Sequence, residues 1–123
     1  MGAAGVGSVS YVTGVILLAR PGEWEHDDQS MLKRVNEYFA SFGEGWPGNK
    51  GLVDVEDPGG WYGGTKCLEC CMAVGSFNYL DLEEFIEHLK SLRGHWQDPE
   101  DVQLLVCEQE DSTWRFVLEG IES

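Results

Sequence analysis

Three cysteines fall within the stretch "KCLECC": Cys67, Cys70 and Cys71. A C-x-x-C pair can grip zinc or cycle as a dithiol, because the thiolate is both a soft ligand and a nucleophile. Either chemistry needs more than the cysteines. A structural zinc takes four ligands, yet the chain has no second C-x-x-C, and His26, His88 and His95 are scattered over other segments. A redox pair usually sits at a helix N-terminus, which lowers the thiol pKa, and here the next helical pattern begins ten or more residues later. Read as a strand, "KCLECCMAV" puts Leu68, Cys70, Met72 and Val74 on one face and Cys67, Glu69, Cys71 and Ala73 on the other. Cys67 and Cys70 then point apart. Cysteine in such a run behaves as a small hydrophobe, so the expectation is a buried strand, with no metal and no cofactor.

The remaining candidates for chemistry are weaker. His26 lies in "EWEHDD" among Glu23, Glu25, Asp27 and Asp28, which a helix cap and solvated acids explain without a cation. Asp54, Glu56 and Asp57 in "DVEDP" read as a polar turn, and His88 as a residue edging a helix-packed core. "GGWYGGTK" lacks the Walker spacing, and neither G-x-S-x-G nor H-E-x-x-H occurs. No catalytic residue is nominated, and the expectation leans against an enzyme. Trp46, Trp61 and Tyr62 stand in Gly-rich connections, where large rings offer contact area at modest entropy cost.

These groups must be positioned by one domain, since 123 residues suffice for a single core and hardly for two. "MGAAGVGS", residues 1–8, reads as a flexible tail, leaving residues 9–123 as a single α+β domain. "SYVTGVILLAR" is apolar on both alternating faces, the pattern of a central strand. Met31, Leu32, Val35, Tyr38, Phe39 and Phe42 recur at helical spacing in "QSMLKRVNEYFASFG", with Asp27 or Asp28 as N-cap and Gly43 as a stop. "LVDVE" is a short strand, followed by the cysteine strand. A second helix carries Leu82, Phe85, Ile86, Leu89 and Leu92 on one face, and Asp81 with Glu84 has capping-box spacing. "VQLLVCEQ" and "TWRFVLEG" form a closing hairpin. The order βαββαβ plus a further strand predicts a ferredoxin-like two-layer sandwich, mainly antiparallel, with two helices on one face. Cys107 then sits two strand spacings, about 9.6 Å, from the cysteine strand, beyond a shared ligand sphere.

A helix-on-one-side sandwich leaves the other sheet face wet. Val15, Leu17, Cys71, Ala73, Leu105 and Cys107 are expected on that face, and its apolar content predicts cover by another subunit, a partner or the long loop.

Eight basic against 22 acidic residues give a net charge of −14. Such a field repels nucleic-acid phosphates and anionic lipid and draws basic partners, although acidic surfaces also serve solubility alone. No basic residue precedes the run "YVTGVILLA", and that run is too short to span a bilayer, so a cytoplasmic protein with reduced thiols is expected. Three functions fit. The first is a non-enzymatic interaction protein, of inhibitor, immunity or accessory type, binding a protein partner through Trp46, Trp61, Tyr62, Glu83, Glu84 and Glu87, with a possible homodimer through the sheet face. The second is a small-molecule binder or enzyme on a dimeric ferredoxin-like scaffold. The third is a nucleic-acid mimic that blocks a DNA- or RNA-binding protein.

Overall fold

The computed structural model describes residues 12–25, 31–39, 51–55, 70–78, 80–108 and 113–121. The fold is α+β, with five strands in one antiparallel sheet and two helices. In chain order the elements are β1 (Val12–Ala19), α1 (Met31–Asn36), β2 (Val53–Asp54), β3 (Cys71–Asn78), α2 (Leu82–Ser91), β4 (Gln103–Glu108) and β5 (Arg115–Glu119). The strands lie in the order β2-β3-β1-β4-β5. β1 is therefore central, hydrogen-bonded to β3 on one side and β4 on the other. Its double-sided apolar pattern is the sequence correlate of that position.

Alternation along β1 divides the sheet into two faces. Thr13, Val15, Leu17 and Ala19 point into the core with Cys71 and Ala73 of β3, Leu104 and Val106 of β4 and Leu118 of β5. Both helices pack on this side. Met31 and Val35 of α1, Phe39 just beyond it, and Phe85 and Leu89 of α2 are buried. The Phe39 ring stacks on Phe77 of β3 at 4.4 Å between centroids and meets Phe85 at 5.2 Å. Leu32, Tyr38, Leu82, Ile86 and Leu92 flank that cluster, half-buried.

Element bounds differ from expectation in two places. The first helix is α-helical only through Asn36 and tightens to a 3-10 turn over Glu37–Phe39. The Asn36 amide explains the change: its Nδ2 donates to the Leu52 carbonyl at 2.8 Å, while its Oδ1 accepts from the Leu52 N–H at 2.9 Å. One side chain thus ties the helix end to the approach to β2, and Gly51 reaches it with φ +69°, where a Cβ would lie 2.7 Å from Asn36 Oδ1. The cysteine strand also shifts. It runs Cys71–Asn78, with Cys70 in a bend ahead of it, because Val12–Ala19 pairs with that span in continuous register. The expected tail, the caps Asp27 and Asp28, Phe42 and Gly43 lie outside the described residues.

The second helix matches its sequence signals. Asp81 Oδ1 accepts from the Glu84 N–H at 3.1 Å, the N-cap bond that Asp supplies to an otherwise orphan donor. The reciprocal half of the box is redirected, since Glu84 Oε1 accepts the Tyr38 hydroxyl at 2.8 Å and so bridges the two helical segments.

Candidate interaction surface

Of the expected contact residues, Glu83, Glu84 and Glu87 are exposed on α2. Trp46, Trp61 and Tyr62 lie outside the described residues, as does Cys67. The three glutamates share the outer side of the helix layer, remote from the sheet surface, because Phe85 and Leu89 set which side of α2 faces inward.

The sheet face away from the helices is the more distinctive surface, and its membership corrects the sequence expectation. Val15, Leu17, Cys71 and Ala73 belong to the core, whereas Leu105 and Cys107 do lie on the open side. Alternation separates odd from even positions but carries no information on which set the helices cover. The pairing Leu17–Leu104 and Ile16–Leu105 resolves the register: Ile16, Leu18, Met72, Val74 and Leu105 share the open face, all half-buried. Val12, Val53, Trp114 and Phe116 are the exposed large apolar side chains among the described residues, at 39%, 51%, 46% and 50%. All four are on this same face. Val53 pairs with Val74, Phe116 with Leu105 across a bulge in β5, and Val12 with Asn78.

Trp114 is held there by a glycine. A Cβ on Gly14 would meet Trp114 Cη2 at 3.0 Å, so the bare backbone of the central strand is what lets the indole lie down. Cys107 pairs with Gly14 beside it.

Of the groups that offered chemistry, Cys70, Cys71, Cys107 and His88 are among the described residues, and Cys67 and His26 are not. Cys70 is half-buried; burial, and secondarily the neighbouring Cys71, push its thiol up from the ordinary value, opposite to a metal-ready or nucleophilic thiolate. Cys71 is in the core, and Cys107 is two strands away across β1. His88 Nε2 lies 3.1 Å from the Arg34 carbonyl oxygen, to which it donates, and its ring packs 5.6 Å from Tyr38. The Tyr38 hydroxyl is pushed well above its ordinary pKa, first by burial and then by the Glu84 carboxylate it donates to.

One acidic residue took an unexpected place. Glu23, expected among solvated acids, is fully buried. Its Oε2 accepts from the Gln97 N–H at 2.7 Å and its Oε1 from the Asp98 N–H at 3.1 Å. The carboxylate clasps the loop that follows α2 to the turn after β1, beside the Trp24–Trp96 pair at 6.3 Å. Asp98, Glu100 and Asp101 bring carboxylate oxygens within 4.8 Å of one another, and Arg20 sits 3.7 Å from both Asp98 and Asp101 as the local cation.

The fold and this surface define an open-faced α+β sheet protein of acidic charge. No protein-family model matches the chain, and no curated protein or solved structure matches it. Among the described residues no helix is long and apolar enough to cross a membrane.

Proposed function

We propose that this chain is a small acidic interaction protein that works by contact, with the open sheet face as its main docking surface. One observation carries the reading: every exposed large apolar side chain among the described residues lies on that single face. Contiguous apolar surface of this kind is characteristic of protein–protein contact. The acidic side of α2, with Glu83, Glu84 and Glu87, supplies the long-range attraction for a basic protein partner, and a net charge of −14 supports that steering. On the finer fold, the sheet order 2-3-1-4 with β1 between β3 and β4 supports a ferredoxin-like core extended by β5.

The test is affinity capture by the full chain, at low and high salt, alongside two variants. Glu83→Lys with Glu87→Lys reverses charge on α2, and Phe116→Glu places charge on the open face. The expected result is salt-sensitive capture of basic proteins, reduced by the first variant and abolished by the second. Capture that neither variant changes overturns the reading.

A further inference from the structure

We infer that the occupant of the open sheet face is a second copy of this chain. The inference rests on the reading of that face as a contact surface, and it is independent of the basic partner. Charge distribution is the first argument. The chain carries 22 acidic residues, yet of the positions that β1 to β5 turn to the open side only Glu119 is charged. A face this poor in charge is best matched by an apolar surface like itself. For two copies at −14 each, a face with so little charge lets them meet with little local repulsion.

Face-to-face packing also separates the remaining charge. Sheets pack about 10 Å apart, so two acidic helix layers, each beyond its own sheet, lie farther apart than a Debye length of about 8 Å at physiological salt. Area is the second argument. Strands of 8, 2, 8, 6 and 5 residues, at about 3.3 Å per residue and about 4.8 Å apart, give roughly 460 Å² per copy, or about 920 Å² for the pair. That is below the about 1,200 Å² of a standard specific interface and is the size of a weak, reversible contact. With β1 in the centre, Ile16 and Leu18 form the dry middle of such a contact, and Trp114 and Phe116 its aromatic corner.

The deciding experiment is sedimentation equilibrium of the full chain, from about 1 µM to about 200 µM, a range that registers any Kd of micromolar strength. The expected result is a dimer that Phe116→Glu weakens at least tenfold, with far-UV circular dichroism unchanged. If Phe116→Glu unfolds, Val53→Glu takes its place, since Val53 is half exposed on a two-residue edge strand. A monomer throughout the range overturns the inference, as does a dimer that both folded variants leave intact. Maleimide labelling of Cys107, which lies on the open face, separates the two ways of failing. A monomer with a rapidly labelled Cys107 leaves the face open to a foreign partner and refutes only the second copy. A monomer with a protected Cys107 has its face covered by its own chain and refutes the contact-surface reading as well.

Discussion

Leu17 and Leu18 are adjacent, chemically identical and on the same central strand, yet their surroundings are opposite. Leu17 is completely buried under the helices with Leu104 beside it, while Leu18 is half-buried on the open side. The same contrast recurs one strand over, between Leu104 and Leu105. Both faces are apolar, so hydrophobicity alone does not distinguish core from surface. The difference is what stands opposite. One face meets Phe85, Leu89, Val35 and Met31; the other presents four exposed large side chains. An apolar face left wet forfeits about 25 cal/mol for each Å² not removed from water.

The largest test of that contrast is a pair of truncations. Leu17→Ala is expected to cost about 2–5 kcal/mol in urea unfolding, because it opens a cavity in a packed core. Leu18→Ala is expected to cost under about 1 kcal/mol at protein concentrations that keep the chain monomeric, and more where a dimer forms. Equal losses at low concentration would mean that the two faces are equally covered.

Glu23 gives an intermediate effect. Glu23→Ala leaves two backbone N–H groups without their carboxylate and is expected to cost about 2–4 kcal/mol, while Glu23→Gln, with one accepting oxygen, loses less. Thermal unfolding of both variants checks the order; an Ala variant as stable as the parent removes the clasp from the account.

The smallest effect is on the helix side and appears at high pH. In the folded state the Tyr38 hydroxyl stays protonated beyond its ordinary range, whereas in the unfolded chain it ionises near the ordinary value of about 10. Its contribution is therefore complete below that pH and lost as pH rises above it, since the unfolded state then releases a proton the folded state retains. Tyr38→Phe should cost about 1 kcal/mol or less at neutral pH and flatten the alkaline decline in stability. An unchanged decline would assign the alkaline sensitivity elsewhere.

Much of the fold was legible because its signals are local. Phe85 and Leu89 at helical spacing behind Asp81 specify α2, and the doubly apolar "VTGVILLA" specifies a central strand. Of the cysteine strand, the part from Cys71 onward was legible, while Cys70 falls in a bend ahead of it and Cys67 lies outside the described residues. Three features were not legible. Asn36 clamps Leu52 from 16 residues away, Glu23 clamps Gln97 and Asp98 from 74 and 75 away, and nothing in either neighbourhood announces the partner. The membership of the open face failed for a related reason: a one-residue choice of parity exchanges every side chain between core and surface.

The sequence by itself determined the element types and their order, the charge of −14, and the presence of two apolar sheet faces, because periodicity and composition are properties of the chain alone. Only the tertiary structure decided which of those faces the helices cover, that Glu23 is a buried clasp, and that Trp114 rests on Gly14. Those outcomes depend on packing between segments far apart in the chain, where the free energy of burial is realised only once the partners meet.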